Sequence, residues 1–146
     1  MRERGYFSIG LDNPKNNKNV GSVLRLAFNF DCSMVAVSGK RYKPSVTDTT
    51  KAFRSIPLLQ NTSLKEVIPY DCVPVAVDLI PEAQSLLTYK HPERAFYIFG
   101  AEDSTLGERV LSFCRDKVFI DTRRCMNLAG AVGVVLWDRR LKRRTC

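Results

Sequence analysis

The sequence predicts a single α/β domain with a mostly parallel sheet and helices on both of its faces. Three observations predict it. Short apolar runs rich in β-branched and aromatic residues alternate with longer segments of helical period along the chain. At 146 residues the chain has the size of one domain and can bury roughly two thirds of its unfolded surface. Its composition, 45% hydrophobic and 26% charged, is ordinary for a globular protein, which excludes disordered and fibrous classes.

In chain order, YFSIGL (6–11) reads as the first strand, and NVGSVLRLAFNF (19–30) as a helix with Val20, Val23, Leu24 and Ala27 on one face. SMVAVS (33–38) is the next strand. The region 40–70, with KRYKPS and TDTTK, reads as a mobile basic loop, then a weak strand at PLLQN and a helix near Ser63 to Val67. CVPVAVDL (72–79), AFYIFG (95–100) and KVFID (117–121) are the remaining strands. STLGERVLSFC (104–114) is a helix burying Leu106, Val110 and Phe113, and CMNLAGAVGVVLW (125–137) is the last helix. That last stretch contains a difficulty. A buried Asn127 needs partners, and Gly130 and Gly133 each cost roughly 1 kcal/mol against alanine inside a helix.

Twenty-three Lys and Arg against fifteen Asp and Glu give a net charge of +8, which favours a polyanionic partner such as RNA, DNA or an acidic membrane face. Cysteines 32, 72, 114, 125 and 146 include no pair at C-x-x-C spacing, and His91 is the single histidine, so no metal site is expected. The longest apolar run, LAGAVGVVLW, is about half a membrane span. No membrane partner is expected, and the N-terminus has no long apolar leader segment. The reading is a reduced, cytoplasmic protein.

Ligands of open α/β sheets bind beyond the carboxyl ends of strands, which directs attention to three turns. NPKNNKNVGSVLRLA is an Asn-rich turn entering a helix that carries Arg25. In FGAEDSTLGERV a strand ends at Gly100, where backbone is open to a ligand, and Glu102 follows as an acceptor. IDTRRCMNLAGAVGVVLW is the third. Each alone also fits a purely structural role, as a helix cap, a solvated helix face or a braced amide.

Together NVGSVLRLA, FGAEDSTL and CMNLAGAVGVVLW, in this order, resemble the three motifs of the SpoU-type (TrmH-like) RNA 2'-O-ribose methyltransferases of the SPOUT superfamily. The likeness covers nearly the whole chain, and its length is most like that of the small single-domain tRNA members. The resemblance implies a C-terminal deep trefoil knot, in which Gly130, Gly133, Ala129 and Ala131 would let a helix pack against crossing backbone. It implies S-adenosylmethionine as cofactor, with S-adenosylhomocysteine as product. Carried over residue by residue, it gives Arg25, Asn19, Glu102 and Asn127 as catalytic residues. It places the cofactor against Val77, Gly100, Ala101, Glu102, Ile120, Cys125, Met126 and Leu128. Arginine has too high a pKa to serve as an ordinary general base, so Arg25 is read as clamping a substrate phosphate and lowering the cost of the 2'-alkoxide. Asn19 fixes the loop or the ribose. Two positions depart from the family: Cys125 stands where serine is usual, and Ala129 occupies the next serine or small position. Cys125 is read as a small buried side chain rather than a nucleophile.

The resemblance also implies a homodimer joined through the first and last helices, for which Phe28, Phe30, Leu136 and Trp137 supply apolar surface. With no added RNA-binding domain in the sequence, a compact target is expected, tRNA in preference to ribosomal RNA. The tail RRLKRR crowds Arg139, Arg140, Lys142, Arg143 and Arg144 together. One or two cations suit a helix C-terminus, but five repel, so Arg140, Lys142, Arg143 and Arg144, with Arg25, are read as RNA-binding through counterion release. The alternative reading is a non-catalytic RNA-binding module on the same fold.

Overall fold

The computed structural model describes residues 4–42, 54–60 and 62–144. Its elements are β1 (Tyr6–Leu11), α1 (Asn17–Asn29), β2 (Val35–Val37), β3 (Leu58–Leu59), β4 (Val73–Val77), β5 (Gln84–Ser85), β6 (Arg94–Phe99), α2 (Glu108–Leu111), β7 (Asp116–Phe119) and α3 (Leu128–Arg144). Short 3-10 turns lie at Lys65–Val67 and Leu86–Thr88. The strands form one sheet in the order β3-β2-β1-β6-β4-β7-β5, and every pairing is parallel. An all-parallel sheet must be covered on both faces. Along β6, Ala95, Tyr97 and Phe99 pack into the layer made by α1 and α3, while Phe96 and Ile98 pack with Leu64, Leu106 and Val110 on the other. Helix α1 buries Val20, Val23, Leu24 and Ala27, the four residues its periodicity names.

The sequence over-reads α2 and misplaces α3. Instead of spanning 104–114, α2 is a single turn beginning after Gly107, because the Asp78 carboxylate accepts the Leu106 N–H at 2.6 Å and holds the preceding residues as a turn. Helix α3 starts at Leu128 rather than 125 and continues to Arg144. β5, with only Gln84 and Ser85, carries no apolar signal and was not expected. PLLQN contributes only Leu58–Leu59, and the helix near Ser63 is a 3-10 turn. Residues 43–53 of the expected basic loop lie outside the described residues. No described helix is long and apolar enough to cross a membrane.

Helix α3 is fastened by its polar residues as much as by Leu128, Val132, Val135 and Leu136. Leu136, expected on a partner-facing surface, is core; Phe28 and Trp137 are exposed and Phe30 is half-buried. Arg139, counted in the sequence with the crowded cationic tail, is only 1% exposed. Its guanidinium donates to the carbonyls of Pro92 (2.7 Å) and Glu93 (2.8 Å) and to the Tyr97 hydroxyl (3.0 Å), and it lies over the Phe7 ring. Lys142 donates to the carbonyls of Leu86 and Tyr89 and pairs with Asp138. Arg140 reaches the Phe30 carbonyl and Asp31, and Arg143 donates to the Arg4 carbonyl. The expected self-repulsion of the tail is therefore relieved by carbonyls and carboxylates of the chain itself.

His91 is buried within this network. Its Nε2–H donates to Asp138 (2.7 Å), while Nδ1 accepts the Tyr97 O–H (2.7 Å), whose oxygen in turn accepts from Arg139. A second ring proton would oppose the Tyr97 O–H, so the neutral ring fits. Burial is the main cause pushing the imidazole down to about 4; Asp138 acts the other way, and Arg139 and Lys142 add to the lowering. The unfolded chain takes up this proton near 6.5, so stability is full above that pH and falls as pH drops through 6 and 5 toward 4. The loss should total about 3 kcal/mol. Denaturant midpoints measured from pH 7 to 5 should decline for the native chain and stay level for His91→Gln, since no other histidine is present.

Candidate active site

Strands β1, β2, β4, β6 and β7 all end at one edge of the sheet, at Leu11, Val37, Val77, Phe99 and Phe119. The chain runs outward from β1 through β2 to β3 and then crosses to the other side of β1, so the strand order reverses beside β1 and β6. Such a reversal opens a crevice at the carboxyl edge. There a cavity of about 330 Å³ is lined by the turns after β4, β6 and β7 and the head of α3. All eight residues carried over for the cofactor, Val77, Gly100, Ala101, Glu102, Ile120, Cys125, Met126 and Leu128, line it.

A second hollow, about 690 Å³, is formed by Lys15–Asn19, Arg41, Glu102 and Asp103. Glu102 and Asp103 belong to both hollows. Glu102 Oε2 accepts the Lys15 N–H at 3.1 Å, and its Oε1 accepts the Asn19 side-chain amide at 3.0 Å. Asp103 receives both Arg41 nitrogens at 3.1 and 3.2 Å, and Arg41 Nη2 also donates to the Asn13 carbonyl at 2.6 Å. The turn after β6 thus holds the turn after β1 directly through Glu102, and through Asp103 by way of Arg41 from the segment after β2. Partial burial pushes the Glu102 carboxyl up, but hydrogen bonds from its own N–H, Asn19, Lys15 and Asn16 outweigh this and keep it below the ordinary carboxylate range. The Arg41 guanidinium holds the Asp103 carboxyl down similarly.

Local sequence explains the entry to α1. Asn16 caps it, its side-chain oxygen accepting the N–H groups of Lys18 (2.8 Å) and Asn19 (3.4 Å). Asn13 adopts a left-handed backbone (φ 51°), and its N–H donates to Ser38 at the end of β2. Gly39 (φ 81°) abuts it so closely that a Cβ would lie 2.2 Å from Asn13 Oδ1. Glycine is required at that crossing.

The head of α3 differs from expectation. Asn127 is exposed and serves as the N-terminal cap: its Oδ1 accepts the Gly130 N–H at 2.7 Å and its carbonyl accepts the Ala131 N–H at 2.9 Å. A Cβ on Gly130 would come within 3.0 Å of that same Oδ1 and 3.3 Å of Met126, so side chains of the preceding turn, rather than crossing backbone, favour glycine there. At Gly133 the nearest neighbour is Leu26 at an ordinary 3.7 Å. Cys125, read as buried, is exposed and faces the cavity.

The structure brings Asn19 and Glu102 together and sets Asn127 beside the cavity-lining Met126 and Leu128. Arg25 stands apart. It is exposed on α1, six residues beyond Asn19, and lines neither hollow. Of the tail residues read as RNA-binding, Arg140, Lys142 and Arg143 have partners in the chain, and Arg144 is exposed. Sequence reasoning missed Asp78, whose signal was an acid at a strand end, and the Arg41–Asp103 pair, which carried no local signal.

A sequence profile described as the SpoU rRNA Methylase family matches residues 6–137. The chain belongs to this family. No curated protein matches it by sequence alone. Among solved structures, the SpoU methyltransferase AviRb from Streptomyces viridochromogenes superposes with a TM-score of 0.84 at 20% identity, over 99% of this chain and 62% of that one. This SpoU-family chain thus spans less than two thirds of AviRb, which has also been solved with AdoMet. A structure described as giving insight into the 2-OH methylation of C/U34 on tRNA gives 0.83 at 23% identity, over 97% and 99% of the two chains. The A. aeolicus TrmH/SpoU tRNA modifying enzyme gives 0.83 at 15%, over 98% and 79%. At these identities the likeness establishes the shared α/β fold.

Glu102 is the joint between the two hollows, and removing it should release the turn. Glu102→Ala is expected to cost about 1 kcal/mol, discounted for its exposure. Amide exchange at Lys15 should accelerate while that of Tyr97 in β6 stays protected; unchanged exchange at Lys15 would remove Glu102 from this role.

Proposed function

We propose that this SpoU-family chain is an S-adenosylmethionine-dependent RNA methyltransferase acting on a ribose 2'-hydroxyl, with tRNA as its substrate. The observation that carries the reading is the single cavity lined by segments from the second and third motifs and tied through Glu102 to the first. The residues fit such a cofactor. Val77, Leu79, Ile120 and Leu128 offer apolar walls for adenine, and the backbone of Gly100, Ala101 and the 125–128 turn is open to it. The volume lies at the lower end of small-molecule sites, roughly 300–1,000 Å³. Bound there, the cofactor would supply a methyl carbon on a sulfonium, open to in-line attack by the 2'-oxygen with S-adenosylhomocysteine as the leaving thioether and the hydroxyl proton released, and this chemistry needs no metal.

The chain's part is to hold the 2'-oxygen in line, help its proton leave and accommodate the changing charge. The neighbouring hollow, with Lys15, Lys18 and Arg41, receives the nucleotide, and Asn19, fixed by Glu102, orients its ribose. Asn127 spends its oxygen on the α3 cap, leaving its NH₂ for a ligand. Arg25 clamps a substrate phosphate. Its absence from the cavity of its own chain is consistent with a homodimer, because Phe28, one helical turn on, shares its side of α1 and is 54% exposed. Trp137 and Leu141 of α3 are exposed at 59% and 55%. A second copy docked across α1 and α3 would cover the three and carry Arg25 to a shared site. The deep trefoil knot belongs to the same reading. Arg144 remains a phosphate contact, whereas Arg140, Lys142 and Arg143 act chiefly within the fold.

The departures at Cys125 and Ala129 favour a second reading, an RNA-binding module without catalysis. Calorimetry with S-adenosylmethionine separates the two: no binding at millimolar ligand leaves the module. Nucleoside mass spectrometry of RNA incubated with labelled cofactor should show a 2'-O-methylated ribose. Arg25→Ala should lower transfer at least a hundredfold and leave cofactor affinity within about twofold, the size expected for losing a positioned charge contact in the transition state. Comparable activity in that variant would take Arg25 out of the mechanism.

A further inference from the structure

On the face of the sheet opposite α1 and α3, a third hollow of about 430 Å³ lies between the turn after β2, the 62–65 segment and α2. It shares no residue with the other two. Lys40, Lys65 and Arg109 converge on it from three separate segments, against the one carboxylate of Asp12, which accepts the Ser38 O–H at 3.0 Å. All three cations are exposed, and none of their side-chain nitrogens has a hydrogen-bond or ion-pair partner among the described residues. The tail behaves differently: there Arg139, Arg140, Lys142 and Arg143 are engaged by the chain. The floor is apolar. Leu64 and Val110 are buried, and Phe113 is half-buried, packed on the second core cluster. Thr62 and Ser63 add hydroxyls at the rim.

We propose that this groove binds one nucleotide of single-stranded RNA next to the target, Phe113 stacking on its base and Lys40, Lys65 and Arg109 holding the flanking phosphates. An aromatic platform ringed by cations is the arrangement single strands need, because every base offers a π-face and every linkage a charge. Three cations around one carboxylate on a chain of net charge +8 complement a phosphodiester backbone. Continuity supports the same occupant. Lys40 adjoins Arg41 and Asp12 adjoins Asn13, the two residues whose contacts border the second hollow, so a strand leaving that hollow passes over the Gly39 crossing into this groove. The assignment rests on the RNA methyltransferase reading for the occupant of the second hollow.

Binding of a fluorescein-labelled mixed-sequence RNA decamer to the full chain, followed by anisotropy across a salt series, tests it, with calorimetric S-adenosylmethionine binding in parallel. Lys65→Ala combined with Arg109→Ala should weaken RNA binding about tenfold or more and flatten the plot of log Kd against log salt by about 1.4, two contacts at about 0.7 each for a single strand. Cofactor affinity should not change. Phe113→Leu, which keeps the floor filled, should weaken binding about fivefold with the salt slope unaltered. A double variant that binds RNA like the native chain, with the same slope, overturns the groove while leaving the methyltransferase reading in place. Native chain that binds no RNA overturns it also, and polyglutamate competing as well as RNA reassigns the groove to an acidic polypeptide. Failure of cofactor binding sinks the methyltransferase reading, and the RNA arm still decides the groove.

Discussion

A guanidinium sealed into the protein sets the position of the helix on which the candidate site is built. Arg139 is bonded to the carbonyls of Pro92 and Glu93, immediately before β6, so it lies at the amino edge of the sheet. Leu128, at the other end of the buried stripe, lines the cavity at the carboxyl edge. Eleven helical steps cover about 16 Å, and the five steps from end to end of β6 cover about 17 Å. Helix α3 therefore spans the sheet, with charge anchoring one end and the Asn127 cap defining the other. Lysine would not serve at position 139, because one ammonium cannot reach two successive carbonyls and a phenol oxygen in a plane while stacking on Phe7. The desolvation cost of the charge is offset by those bonds and by an environment in which His91 is kept neutral rather than cationic.

What was legible in the sequence follows from how far each feature depends on distant residues. The parallel strands were legible because burial on both faces leaves them as apolar runs, and the α1 face because its periodicity is local. The limits of α2 were not, since the bond that ends its N-terminal extension comes from Asp78, 28 residues earlier. Asn127 looked like a buried amide inside a helix, and it is an exposed cap, because the apolar run conceals where the helix begins. Arg139 illustrates the reverse error. A cation among cations reads as part of a surface tail, and only the fold shows that its place on the stripe with Leu128, Val132, Val135 and Leu136 makes it core.

The site was legible to a different degree. The residues of the cavity came from resemblance, motif by motif, and nothing in their composition would have joined Val77 to Cys125. Their partners could not come that way. Arg41 and Asp103 are 62 residues apart, and the pair exists because β2 and β6 flank β1 in the sheet. The net charge of +8 was a still coarser guide, as it counts Arg139 and Lys142, which the chain consumes internally, equally with Lys40, Lys65 and Arg109, which it leaves available.

Placement thus carries more information than charge, and the Glu102–Asp103 wall shows why. The same two residues border the cavity and the hollow beside it: Glu102 holds the turn after β1, and Asp103 holds Arg41 of the segment after β2, which itself bonds the Asn13 carbonyl. A ligand pressing on the Gly100–Ala101 backbone acts on the segment that fixes Asn19 and Arg41. A ligand between Lys15 and Arg41 acts on the same segment from the other side. Any preference of Glu102 for one backbone position is then felt in both hollows, and by linkage the coupling is mutual. Because the connection runs through exposed hydrogen bonds rather than through the packed core, its strength is modest and it can loosen without disturbing the sheet. The scaffold is packed where α3 crosses the strands, and held by exposed hydrogen bonds at the edge where the two hollows meet.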